Sequence, residues 1–294
     1  MSRYFFIAIS LFYGVFFSSC GYKGNTLFLI NSSYNKYFPD NGYIEDIIAD
    51  SLIRKGYSVD YLDHYSYNAA GMVIKTLISD KQPDIIVTNN FLFPVLIKDD
   101  TNYQYPLKFI TFGFNMPITN NRTDHCICNI IPDAGIFADT IISEMAKINK
   151  IEQYEEILFV MQENDTFSIE VYSHIKNNYP QISQYLLTNQ SQRNINQRIQ
   201  NKNKIVIFSG MEMNRVIGEI NIDSEILVYG IELITDFGRY SNSIKKQFYI
   251  DTRLGVLEFL NSDNYDDFIN KDSAEEKILN YIFTDRYCYA FRNM

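Results

Sequence analysis

The residues best suited to chemistry in this chain are amides, hydroxyls and aromatic rings placed just after apolar runs. Asn31-Ser32-Ser33-Tyr34 follows the run TLFLI, and Asn89-Asn90-Phe91 follows IIVT. Gly113-Phe114-Asn115 follows FITF. Further along, Gln162, Asn164 and Asp165 follow ILFVM, Ser209-Gly210-Met211 follows KIVIF, and Gly230-Ile231-Glu232 follows EILVY. Amides and hydroxyls hydrogen-bond a polar solute, and aromatic rings cover its apolar face. A helix beginning after such a loop offers free N–H groups to a carboxylate. The same Asn and Ser are ordinary cap and turn residues. The weight therefore rests on their gathering at one predicted edge, not on any single one.

Catalytic patterns are missing by comparison. The sequence has no GxSxG elbow, no GxxxxGK[ST] loop, no GxGxxG after a strand and no HExxH. Its three histidines are His64, His125 and His174. His64, at a strand end, reads as a turn residue ahead of a binding one, and His174 as a surface residue in mid-helix. The pairs Glu155-Glu156 and Glu275-Glu276 read as solvated helix faces. Nothing selects two carboxylates facing across a cleft, as a glycosidase needs. We therefore expect a binding protein, not an enzyme, with no catalytic set, no cofactor and no resident metal.

The elements that must position the polar groups alternate. Strand-like runs occupy 26–31, 57–62, 85–88, 109–112, 127–131 and 157–161, with more ending at Leu186 and covering 204–208, 225–229 and 248–250. Between them lie helical patterns. Tyr43, Ile47, Ile48, Leu52 and Ile53 recur at helical spacing through Lys55, with Gly56 as the stop. Another helix runs from about Ala69 to Ser79. Asp133 caps one reaching Lys147, a helix runs from about Thr166 to Lys176, and another begins at Leu254. Strands alternating with helices of this length predict an α/β fold with parallel sheets covered on both faces. There are too many units for one ordinary sheet. We expect two doubly wound parallel-sheet lobes joined by a hinge. The expected division is 26–118 plus 240–262 for lobe one and 119–239 plus 263–294 for lobe two. Crossings are expected near Asn115–Cys126 and Thr235–Ser243. The tail reads as an acidic solvated turn (DNYDDF) and then a packed terminal helix (EKILNYIF).

Composition agrees with a globular body. The chain has 294 residues, 46% of them hydrophobic, with 13 Gly and 7 Pro, which excludes a disordered or collagen-like chain. The net charge is −9 and no basic block occurs, so no nucleic-acid partner is expected.

The N-terminus has the layout of an export signal. Arg3 precedes fourteen uncharged residues, 4–17, and small residues then lead to Cys20. Fourteen helical residues reach about 21 Å, short of a bilayer core of about 30 Å. Residues 1–19 are thus expected to be a signal peptide and 20–25 a tether. The Ser18-Ser19-Cys20 ending resembles the bacterial lipobox, which implies cleavage before Cys20 and a diacylglycerol on its thiol. This lipidated reading stands ahead of a plain signal peptide and of an uncleaved anchor. It places a soluble body at a membrane surface. Of the other cysteines, Cys126 and Cys128 lie two apart on one face of a strand, and Cys288 is distant. Buried small side chains are expected there ahead of metal ligands, and a bridge to Cys288 stays open.

Four stretches carry a family likeness: LFLINSSYNKYFPDNGYIEDII, SVDYLDH, QPDIIVTNNFLFPVLI and KFITFGFN. Together they resemble the first domain of an ABC-transporter substrate-binding family. PDAGIFADTIISEMAKI, LVYGIE and IDTRLGVLEFL extend the likeness more thinly. The resemblance implies a type I periplasmic-binding-protein fold with a small polar ligand, an amino acid first, held between two lobes for an ABC permease. It places ligand contacts on Asn31, Ser32 and Tyr34, on Asn89 and Asn90, and on Gly113 and Asn115. Position 89 or 90 holds Asn where that family has an acid, which leaves the ligand's charge open. Asp165, Met211 and Glu232 are the matching candidates of lobe two. A sensory or surface-interaction lipoprotein of the same fold, without transport, is the other reading.

Overall fold

The computed structural model describes residues 23–30, 43–63, 76–89, 107–113, 125–148, 154, 156–163, 165–187, 195–199, 204–210, 213, 216–217, 227–231, 244, 246–270, 278–284 and 289–293. These form two six-stranded sheets. The first contains β1 (Gly24–Ile30), β2 (Tyr57–Asp63), β3 (Ile85–Asn89), β4 (Lys108–Phe112), β5 (Cys126–Pro132) and β11 (Ile278–Phe283), in the order β11-β5-β4-β3-β1-β2. The second contains β6 (Glu156–Gln162), β7 (Ile182–Leu187), β8 (Lys204–Ser209), β9 (Leu227–Ile231), β10 (Lys246–Ile250) and β12 (Tyr289–Asn293), in the order β12-β10-β9-β8-β6-β7. Every pairing is parallel except β10 with β12.

The inner strands β1, β3, β4, β5, β6 and β8 are buried on both faces, which explains runs that are apolar almost without interruption. In β1, Phe28 joins one core cluster while Leu27 and Leu29 join another on the opposite face. In β6, Ile157, Phe159 and Met161 face one way and Leu158 and Val160 the other. The expected architecture of two doubly wound α/β lobes is therefore present. The helices are α1 (Tyr43–Arg54), α2 (Ala134–Met145), α3 (Thr166–Asn178), α4 (Ile195–Ile199), α5 (Thr252–Leu260) and α6 (Asp263–Asn270). Helix α1 buries Ile48, Ala49 and Leu52, and α2 buries Phe137, Ala138, Ile141 and Met145, the spacing of one helix face. Residues 76–81 are also helical, at the end of the stretch expected from Ala69.

The division between lobes differs from the expected 118/119, 239/240 and 262/263. Strand β5 pairs with β4, so it completes lobe one and does not open lobe two. Strand β10 pairs with β9 in lobe two, and β11 pairs with β5 in lobe one. The polar stretch 115–125 thus connects two neighbouring strands of one sheet. The chain passes between lobes at Pro132–Asp133, at Ile250–Asp251 and between Phe283 and Tyr289. Apolarity marks a segment as a strand but carries no label for the sheet it joins.

The tail is also corrected. DNYDDFIN is helix α6, with Tyr265 and Phe268 buried, and not a solvated turn. ILNYIF is strand β11, and not a helix. So short a stretch, apolar except at Asn280, fits either period, and its Ile, Tyr and Phe favour the pleated surface once β5 offers an edge. Glu156 opens β6 and is no helix-face residue. It binds Lys204 at 2.7 Å and Arg198 at 2.5 Å.

Candidate functional site

Three crossings define where a site can lie. Strand β5 ends at Pro132, and Asp133 directly caps α2, accepting from the Ile136 amide at 2.9 Å. Strand β10 ends at Ile250, and Asp251 directly caps α5, accepting from the Arg253 amide at 3.1 Å. Helix α2 packs on α3 of lobe two, and α5 packs on α1, β4 and β5 of lobe one. Each link therefore leaves the C-terminal end of a strand in one lobe and enters the N-terminal end of a helix in the other. The third link leaves the C-terminal end of β11 and reaches Tyr289, which pairs with Ile250 at the C-terminal end of β10. All three thus join the C-terminal edges of the two sheets. Parallel sheets present their ligand loops at that edge.

The predicted residues fall at this edge wherever they are described. Asn89 is the last residue of β3, in register with Phe112 of β4. Gly113 follows β4 directly and is buried. Asp165 follows β6 and caps α3. Asn31, Ser32, Tyr34, Asn90, Asn115, Met211, Glu232, the lipidation candidate Cys20, His64 and Cys288 lie outside the described residues.

Asp165 is held in a defined network. Its Oδ1 accepts from the Ser168 amide at 3.0 Å, and its Oδ2 accepts from the Ser168 hydroxyl at 2.7 Å. Ser168 Oγ also lies 2.6 Å from Ser209 Oγ. A hydroxyl has one proton. Ser168 spends its proton on Asp165, so Ser209 donates to Ser168. The relay Ser209→Ser168→Asp165 ties the end of β8 to the start of α3. Gly210, at φ +103°, turns directly over it, and a Cβ there would meet Asp165 Oδ2 at 2.8 Å. Ser209 was legible as a strand-end polar group, whereas Ser168 inside a helix carried no signal.

The sequence reading also missed an ion triad beside the second crossing. Arg253 is fully buried. Its Nε donates to Asp251 Oδ1 at 2.8 Å, and one terminal nitrogen donates to Asp251 Oδ2 at 2.7 Å. The other donates to Glu45 Oε1 at 2.7 Å, on the first turn of α1. Burial alone pushes the guanidinium pKa down, but Asp251 and Glu45 outweigh it and hold Arg253 firmly charged. The pair Asp251-x-Arg253 at a helix start was readable. Glu45, 208 positions away, was not.

Among the described residues, no three His, Cys, Asp or Glu stand together as a metal site. Cys126 and Cys128 are free and buried, and burial pushes the Cys128 thiol pKa far up. His125 accepts from the Leu107 amide through Nδ1 at 3.0 Å, edge-on to Phe109. His174 is exposed on α3. Among the described residues, no helix is long and apolar enough to cross a membrane.

No protein-family model matches the chain. No curated protein matches it by sequence. Solved structures do match by shape. A probable maltose operon transcriptional repressor, MalR, from Staphylococcus aureus aligns with TM-score 0.54 at 13% identity, covering 92% of this chain and 96% of its own. The XylFII–LytSN complex gives TM-score 0.53 at 13% identity, covering 92% and 98%. An ABC transporter solute-binding protein from Clostridium phytofermentas, with bound L-rhamnose, gives TM-score 0.51 at 11% identity, covering 92% and 95%. At these identities the likeness defines the fold. This chain has the type I periplasmic-binding-protein fold, shared with solute-binding proteins and transcriptional regulators.

Proposed function

We propose that this chain captures a small polar solute between its two lobes, as an exported, lipid-anchored binding protein serving an ABC transporter. One observation carries the reading. All three crossings join the C-terminal edges of the two sheets, so the C-terminal strand ends of both lobes meet at one junction. A ligand there touches both lobes, and hinge closure buries it.

The ligand contacts we assign are Asn31, Ser32, Tyr34, Asn89, Asn90, Gly113 and Asn115 from lobe one, and Asp165, Met211 and Glu232 from lobe two. Cys20 is the proposed lipid attachment site, on the signal-like residues before it. An amino acid is the first ligand class, from the sequence resemblance. Sugars stand beside it, because one solved structure of this fold holds L-rhamnose. The membrane is reached through the lipid, and an ABC permease is the expected protein partner. Asn at position 89 or 90, where the resembling family has an acid, favours a second reading: a sensory or surface-interaction lipoprotein without transport.

The test is a thermal-shift screen of the full chain against amino acids, sugars and nucleosides. A ligand at a hundred times its Kd adds about 2.7 kcal/mol of stability. A hit lost in Asn89→Ala and Glu232→Ala establishes capture at this junction. A folded protein that responds to none of the three classes overturns it in favour of the second reading.

A further inference from the structure

The first turn of α5 gathers all three crossings. Asp251 is itself the second crossing. Gly255, one turn on, packs so closely that a Cβ there would lie 2.4 Å from Phe283 Cδ1 and 2.8 Å from Ile130 Cγ2. Phe283 is the last residue of β11, where the third crossing departs. Ile130 is two residues before Pro132, where the first departs. Arg253 fastens this turn to α1 through Glu45. The turn thus belongs to lobe one although it follows a strand of lobe two.

We propose that Arg253 is the positioning residue of the hinge. It holds Asp251 to lobe one, so the lobes turn about two single peptide links, Pro132–Asp133 and Ile250–Asp251. Each link is bounded on both sides. Pro132 is fixed by the pairing of β5 with β11, and Asp133 by its cap on α2. Ile250 is fixed by pairing with Tyr289, and Asp251 by the fork of Arg253. Backbone that is held on both sides leaves only the link between to absorb a change in φ and ψ. Glu45 extends the same fixture to α1, the first described helix after β1. The lobe angle and the position of α1 are thereby set by one buried side chain. A lysine lacks the planar fork that holds Asp251 and Glu45 together.

The inference rests on the binding reading only in treating lobe rotation as closure. Its test needs no ligand. Spin labels are introduced as noncanonical amino acids at exposed Asp50 in lobe one and exposed Glu170 in lobe two of the full chain, and the distance distribution is measured by pulsed resonance. In the parent protein we expect one narrow population. Arg253→Lys should widen it partly, and Arg253→Met should widen and shift it. Arg253→Met takes the guanidinium away from two buried acids and can fail to fold. The triple variant Arg253→Met, Glu45→Gln, Asp251→Asn removes all three charges and keeps a cap, and it should show the same widening. Gly255→Ala, which forces Phe283 and Ile130 apart, should shift the distance without removing a charge. A folded triple variant and a folded Gly255→Ala that both keep the parent distribution overturn the proposal, even if their melting temperatures fall. If the ligand screen is negative while these shifts occur, the hinge assignment stands and the capture reading alone fails.

Discussion

Asp133 and Asp251 hold the same position at opposite crossings: each is the first residue after a strand of one lobe and the cap of a helix in the other. Their backbones are alike, at φ −74° with ψ 110° and φ −90° with ψ 88°. Their partners are not. Asp133 caps α2 through Ile136, whereas Asp251 caps α5 and also grips the buried Arg253. Asp133→Ala should cost about 1 kcal/mol, the usual loss of a cap. Asp251→Ala should cost about 3–5 kcal/mol, because it also breaks the buried ion pair that Arg253 makes beside the one to Glu45. Urea unfolding of the two variants gives the comparison, and equal losses would count against a structural role for the triad.

The direction of the serine relay is testable by asymmetry. Ser168→Ala removes the acceptor of a buried hydroxyl, leaving Ser209 with an unpaired proton, and it takes a donor from Asp165. It should cost about 1–3 kcal/mol. Ser209→Ala removes a donor while Ser168 still gives its proton to Asp165, and it should cost less than about 1 kcal/mol. Equal costs, or the reverse order in chemical denaturation, would show that the protons run the other way.

Glu156 predicts a pH dependence. Burial pushes its carboxyl pKa up, but Lys204, Ser183 and Arg198 together outweigh that and hold it below its ordinary 4.5. A folded-state value below the unfolded one gives stability that is fully present above the unfolded value. That stability is lost as pH falls through the folded value. Glu156→Gln should therefore be less stable than the parent at neutral pH, by about 1–3 kcal/mol. The gap should close as pH drops below 4.5. A gap that stays constant with pH would remove the ion pairs from the explanation.

Cys126 and Cys128 should be silent to thiol reagents. Both are buried, and the Cys128 thiol is disfavoured as a thiolate by desolvation. A variant with Cys20 and Cys288 changed to serine should label only as fast as it unfolds. Rapid native labelling would contradict the packing of β5.

Repetition was the legible part of the fold. Helix α1 was readable from Ile48 and Leu52 at helical spacing and from the stop at Gly56. The strands were readable because two dry faces demand continuous apolar residues, as in ILFVM of β6. Sheet membership was not readable. Strand β5 pairs with β4 on one side and with β11, 151 positions away at Asn129 and Asn280, on the other. The strand-end position of Asp165 was legible, but its bonds to Ser168 and through it to Ser209 depend on where β8 lies beside β6. Nothing in the sequence around Arg253 marks it as buried, because burial is a property of the assembled lobe and not of a local window.

Both sheets receive an outer strand from residues 278–293. While the chain is being made, β5 and β10 each carry an open, hydrogen-bond-hungry edge until residues 278–293 emerge from the ribosome. The two sheets are therefore completed within one short stretch of synthesis, first at β11 and then at β12. A ribosome that stalls before residue 278 leaves two unfinished sheets on one chain, each able to recruit a strand from a neighbour.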